Sequence, residues 1–222
     1  METTDDRSYR VNLNEDWELE DLYEFPHALS QCYAFIYCLD SELKPKDRER
    51  INSAMQAYPW RGGYSYVNIY TVLKNQIPTD DRPKIKSIQK SSPGWLDLIL
   101  NPNVAYQLAA AISVLSGALV GAAAAYKKAY SLLLSINAAR RKAGIENLKA
   151  SATELKAIND SCVELAKNLG FKNLKELHEH TGDPEVSLKL LMAHQRRMSV
   201  MLDYAQTGKA TLTLPNLGVT KE

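Results

Sequence analysis

Between Val104 and Tyr126 the chain runs for 23 residues without a charge, and its only strongly polar side chains there are Gln107, Ser113 and Ser116. A helix rises about 1.5 Å per residue and a bilayer core takes about 20 apolar residues to cross, so this stretch is long enough to span one. It holds two patterns with different implications. Ser113, Gly117, Gly121 and Ala125 recur every fourth residue, and such a row of small side chains lets two helices approach closely in lipid. Leu108, Ile112, Leu115, Leu119, Ala122, Tyr126, Ala129, Leu133 and Ile136 follow instead the four-three spacing of a soluble coiled-coil seam. The first pattern suits membrane insertion and the second a buried or oligomeric helix. The segment is apolar on all sides, which tips the balance to the membrane.

The flanks bear on the same choice. Lys127, Lys128, Arg140, Arg141 and Lys142 follow the segment, whereas only Lys90 lies just before it. For a spanning helix, the positive-inside rule would hold the C-terminal half in the cytosol and export about 100 N-terminal residues. The opening METTDDRSYR has no basic start followed by an apolar run, so no secretory signal peptide is expected. Cys32, Cys38 and Cys162 are odd in number and lack zinc-like spacing, which suits reduced thiols. The expected location is cytoplasmic or at the inner membrane.

Around this segment the pattern is mixed. Residues 8–13 read as a short strand, and Asp16 caps a helix reaching about Cys38, with Pro26 as a kink. A second helix is expected from Lys46 to Tyr58, stopped by Pro59 and the Gly62-Gly63 pair. Tyr64 to Leu73 alternates, with Val67, Ile69, Thr71 and Leu73 on one face and Tyr64, Tyr66, Asn68 and Tyr70 on the other, so it reads as the best strand in the chain. Lys84 to Lys90 reads as its antiparallel partner, and Ser91 to Gly94 as the break that ends the sheet. The hydrophobic helix continues to about Arg141. Helices follow at 146–169, 174–180 and 185–205, the last opening on Asp183-Pro184, and Thr211 to Pro215 makes a final short strand. The fold class is α+β: a small antiparallel sheet with helices at the N-terminal side, a long hydrophobic helix, and a helical C-terminal part. The corresponding division is an α+β domain at 1–94, the long helix at 95–143 and the C-terminal part at 144–222.

Charge and motif content narrow the chemistry. A chain of 222 residues, 45% hydrophobic, can bury a true core, and a net charge of +1 offers no global field for nucleic acid. Locally, residues 1–24 hold nine acids against Arg7 and Arg10, and residues 127–175 hold ten bases against four acids, so the two regions can attract one another. Tyr64, Tyr66 and Tyr70 beside Lys84, Lys86 and Lys90 form a candidate binding face, since aromatic platforms next to cations can stack bases. The plainer reading is a half-solvated sheet whose tyrosines pack under a helix. His178 and His180 lie two apart and so point to different sides of a helix, unlike the four-residue spacing of a zinc helix. With Asp183 and His194 nearby they read as a polar helix end. No phosphate loop, dinucleotide fingerprint, nucleophile elbow or paired-cysteine ribbon is present, so no enzyme activity, metal or cofactor is expected.

The layout of a small α+β unit, a Ser92-Pro93-Gly94 turn, an Ala/Gly/Leu-rich helix, a basic exit at Arg140-Arg141-Lys142 and a C-terminal helix with a short strand resembles a group of uncharacterised bacterial proteins with one hydrophobic helix. Some of these resemble accessory components of anti-phage or conflict systems. The resemblance implies a non-enzymatic, homo-oligomeric, membrane-associated protein with an unidentified protein partner. The alternative is a soluble oligomeric adaptor that uses the long helix as its assembly core.

Overall fold

The computed structural model describes residues 7–14, 16–39, 43–58, 62–90, 93–144, 149–171 and 174–212, and for residues 62–67 and 176 the backbone alone. The class is α+β, with a four-stranded antiparallel sheet among helices. Strand β1 (Ser8–Leu13) turns Tyr9, Val11 and Leu13 inward at every second residue. Helix α1 (Leu19–Cys38) starts at Glu18 in a reciprocal capping arrangement with Asp21 and runs through Pro26. Helix α2 (Pro45–Ala57) follows where the sequence suggests it.

Residues Gly62–Gln76 form a helix, α3, and not the strand that their Tyr, Val and Ile content suggests. Burial explains the outcome. Ile69, Leu73 and Ile77 recur every four residues and are buried, and Tyr70, expected on the opposite face, is buried beside Ile69. Thr71, which a strand would turn inward with Ile69, is exposed. Intrinsic β-preference spans only about 1 kcal/mol and yields to a helical stripe that the core can cover.

Strand β2 (Lys84–Gln89) therefore pairs with a strand that sequence reading missed, β3 (Gly94–Ile99). The Ser91 to Gly94 stretch is not the end of the sheet: Gly94 opens β3, while Ser91 and Ser92 lie outside the described residues. A Cβ at Gly94 would lie 3.0 Å from the carbonyl oxygens of Gln89 and Leu13, so a glycine permits the close approach of the neighbouring strands. β3 then pairs with β1, placing Leu98 beside Tyr9 and Leu96 beside Val11 on the inner face. On the outer face Arg10 grips Asp97 through two bonds of 2.6 and 2.8 Å and covers the Trp95 ring. Hydrogen bonds from Arg10, and one from Ser87, hold the Asp97 carboxyl below its usual pKa.

The hydrophobic stretch forms two helices, α4 (Pro102–Gly117) and α5 (Leu119–Ala143), which meet at Ala118 with a bend of 89°. The buried stripe of α4 lies on α1, β1 and the C-terminal helix, and that of α5 lies chiefly on α6 (Ala152–Asn168). A straight helix could not lay both stripes against these different sides of the core. Ser151 caps α6 with Glu154, and residues 145–148 lie outside the described set.

Helix α7 (Lys175–Thr181) leads to α8 (Pro184–Gln206), which opens on Asp183 and Pro184 as the sequence suggests. β4 (Ala210–Leu212) pairs with β1, completing the order β2-β3-β1-β4, and residues 213–215 of the expected last strand lie outside the described residues. The sheet thus takes strands from the stretches 1–94, 95–143 and 144–222 alike.

Helical periodicity in α3 separates two neighbouring residues energetically. Ile69→Ala should lower stability by about 2–5 kcal/mol, as for other large-to-small core changes, whereas Thr71→Ala should change it by less than about 0.5 kcal/mol. Urea denaturation of both variants checks this; similar large losses would put both residues on one core face, as a strand requires.

Candidate functional site

The feature with the most unusual surface chemistry is the elbow between α4 and α5. Asn101 caps α4 by accepting from the Asn103 amide at 3.0 Å, and Pro102 occupies the first helical turn, where its missing N–H costs nothing. At the other end the Ala118 amide donates back to Val114 and Leu115, and its carbonyl accepts from Ala122 at 2.8 Å. Ala118 therefore serves both helices, and the chain turns sharply with few backbone groups left over.

Outside this corner sit Val114, Leu119 and Val120, exposed by 43%, 44% and 85%. The outer face of α5 continues the apolar surface. Val120, Ala123, Ala124, Tyr130, Leu134 and Ala138 are exposed, and at 3.6 residues per turn they fall within about a third of the circumference. The opposite stripe, Ala122, Ala125, Ala129, Leu133 and Ile136, is buried within the chain. All but Ala125, which belongs to the small-residue row, are residues of the expected coiled-coil seam, and α6 and α8 already cover that side.

Charge on the elbow is of one sign. From Pro102 to Ala143 there are five cations, Lys127, Lys128, Arg140, Arg141 and Lys142, and no acid. Lys128 bonds Glu164 at 2.9 Å, and Arg140 holds Glu185 through contacts of 3.1 and 2.8 Å. Lys127, Arg141 and Lys142 are exposed and share the outer side of α5 with the apolar row. Two bonds brace the inner side: Gln195 Nε2 donates to the Ala122 carbonyl at 2.9 Å, and Arg196 donates to the Tyr126 hydroxyl at 2.8 Å. Among the described residues no single helix is long and apolar enough to cross a membrane; the bent pair together has the length and composition.

The small-residue row is divided by this bend. Ser113 and Gly117 lie on α4 and are exposed; on α5, Gly121 is exposed and Ala125 is buried. A Cβ added at Gly117 or Gly121 would meet nothing within 4 Å. The strand expected to carry Tyr64, Tyr66 and Tyr70 beside Lys84, Lys86 and Lys90 is helix α3 instead. Tyr70 lies buried on α3 under the Arg197 guanidinium, 4.9 Å from its ring centre, while Lys84, Lys86 and Lys90 are exposed on or just after β2. The side chains of Tyr64 and Tyr66 lie outside the described residues.

The histidines separate as well. His178 Nδ1 lies 3.0 Å from the fully buried Ser187 hydroxyl, and Thr181 joins the same hydroxyl at 2.6 Å, a network that ties α7 to the start of α8. His180 meets Asn52 of α2 through its Nδ1. His194 is fully buried, with its ring stacked on Phe35 at 4.0 Å and tilted against Phe171 at 5.7 Å, and neither ring nitrogen has a hydrogen-bond partner among the described residues. Burial, aided by the nearby Arg197 charge, lowers its pKa from 6.5 to about 3. The three cysteines are free and buried, and burial pushes the Cys162 thiol up to about 12.

His194 gives the protein a specific pH response. An unfolded chain binds a proton at this residue near pH 6.5 and the folded chain only near 3. Its contribution to stability is therefore present above the higher value and declines as pH falls between the two, by up to about 1.4 kcal/mol per unit. Burial also lowers the pKa of His178 and His180, which add to the slope in the same direction. Urea titrations at pH 7.5 and 5 should show a marked loss in the parent and a smaller loss in His194→Leu. An unchanged slope would mean that the ring is protonated or solvated in the fold.

No family model, curated protein or solved structure matches this chain.

Proposed function

We propose that this is a non-enzymatic, membrane-associated protein that lies on an anionic bilayer surface through the α4–α5 elbow. The observation that carries this reading is the coincidence, on one outer side, of uncovered apolar residues at Leu119, Val120 and Leu134 with the cations Lys127, Arg141 and Lys142, in a segment without acids. Apolar side chains enter the acyl boundary while long cationic side chains reach back to phosphates, the arrangement of an interfacial helix and not of a spanning one. A bend of 89° suits a shallow corner that dips into the surface. The absence of acids in the first turn of α5 leaves the corner compatible with headgroup phosphates. An inner-membrane face on the cytoplasmic side supplies such a surface to a protein with reduced thiols.

The alternative, a soluble oligomer with the long helix as its core, draws on the coiled-coil spacing. Most of that spacing is spent within the chain, because Leu108, Ile112, Leu115, Ala122, Ala129, Leu133 and Ile136 are buried in a single copy. This favours the surface reading.

Vesicle flotation tests the proposal. The protein should float with phosphatidylglycerol-containing vesicles and much less with phosphatidylcholine alone. Leu119→Glu with Val120→Glu should weaken binding at least about tenfold, because burying each of these side chains contributes about 1.5–3 kcal/mol. Lys127→Glu should weaken it less and make it less sensitive to salt, since a cation near such a surface contributes about 1 kcal/mol. Equal flotation by parent and double variant would sink the elbow as the contact, and failure of the parent to float would sink membrane association.

A further inference from the structure

The other surface left uncovered lies at the far edge of the sheet. β2 is the outermost strand, hydrogen-bonded to β3 on one side and to no other strand among the described residues. Its pairing with β3 shifts register between Ile85 and Ser87, so that Lys86 is the extra residue of a bulge. The shift has a directional consequence. Plain alternation would turn Ile85 and Ile88, three residues apart, to opposite faces. In this register Ile85 lies beside Leu98 and Ile88 beside Leu96, so both occupy the face whose other side chains form the core. Yet Ile85 is 61% exposed and Ile88 is 52% exposed. β2 therefore presents an exposed apolar pair beneath an edge that pairs with no other strand among the described residues.

We propose that this edge binds a second copy of the same chain, the two β2 strands pairing antiparallel about a two-fold axis between Lys86 and Ser87. The strand is self-complementary in this arrangement. Ile85 faces Ile88 of the second copy, and the two isoleucine pairs make one continuous patch on the inner face. Lys84 faces Gln89, and Lys86 faces Ser87, so no lysine lies opposite another. Parallel in-register pairing would set Lys84 on Lys84 and Lys86 on Lys86. Lysines and bulges on edge strands discourage indiscriminate pairing, and here they leave the two-fold register as the permitted one. Pairing extends the sheet from four strands to eight.

The surface is distinct from the elbow on α4–α5, and the inference does not rest on membrane binding. Six residues from each copy form a contact well below the roughly 1,600 Å² of a standard stable interface, so the dimer should dissociate on dilution. Light scattering and native mass measurement should give a dimer at about 100 µM that shifts to monomer near about 1 µM, a range typical of weak association. Ile85→Glu with Ile88→Glu should remain monomeric at about 100 µM while keeping the parent's circular dichroism and melting temperature, since both side chains are exposed. Leu119→Glu with Val120→Glu should dimerise like the parent. Register is read by mixing an Ile85→Cys chain with an Ile88→Cys chain, in which the native cysteines are buried. Oxidation should produce the mixed disulfide faster than either homodimer. A parent that stays monomeric at about 100 µM overturns the proposal, even if the edge then captures an extended segment of another protein. A dimer that survives the double glutamate variant overturns it too, as do equal rates for mixed and like disulfides.

Discussion

The structure depends on burying α8 from almost every direction. Leu188, Leu190, Leu191, Ala193, His194, Met198 and Met201 point around much of the helix circumference, and all are sealed from solvent. No single neighbour can cover such a helix, so α1, α3, α4, α5, α6 and α7 are all drawn against it. Paired charges brace its two ends. Glu185 near the start lies between Arg140 and Lys189, whose bonds outweigh the opposing effect of burial and hold its carboxyl below its usual pKa. Near the end, Tyr204 donates to Asp21, which also receives Lys209. Ion pairs of this kind contribute modestly as pairs, but losing one partner leaves a poorly hydrated charge. They therefore specify how neighbouring elements dock on α8 more than they stabilise it.

With the inner stripes committed to the core, what remains outside acquires meaning. α4 and α5 divide their residues between an inner side that packs and an outer side that stays apolar and cationic. β2 makes the complementary division along a strand, with one edge in the sheet and the other paired with no strand among the described residues. Both surfaces persist because neighbouring elements stop short of them.

Much of this architecture was legible from the chain itself. The Asp183-Pro184 opening of α8 and the short strand at residues 8–13 each announce an element, because the local pattern and the tertiary demand agree. Tyr64 to Leu73 misled because β-branched and aromatic residues satisfy strand preference while Ile69, Leu73 and Ile77 also satisfy a helical stripe. The next turn, at Ile77, was the deciding signal. β3 was hidden because apolar side chains stand on both of its faces: the inner Leu96 and Leu98 and the half-buried outer Trp95 and Ile99 read as an undifferentiated apolar run after a glycine. The bend at Ala118 was invisible for a different reason. Nothing in Gly117-Ala118-Leu119 forbids a straight helix, and the direction of the chain there is set by where α1, α6 and α8 offer cover. The exposed corner at Val120 follows from that bend, as does the shared face of Ile85 and Ile88 from a bulge at Lys86. Neither has a signature of its own in the sequence.

The pairing of β1 with β4 joins Val11 to Leu212. A ribosome adding about 5–20 residues each second needs on the order of ten to forty seconds to make the chain between them. During that interval β1 can find β3, and β3 can find β2, but the margin of β1 that will receive β4 stays bare. So does the face that α8 will later occupy. The nascent protein is therefore obliged to wait, half built around a vacancy, until α8 and β4 appear. Slow decoding between β1 and α8 would lengthen this exposure, and chaperones that hold apolar surface would have their longest opportunity with this chain before α8 arrives.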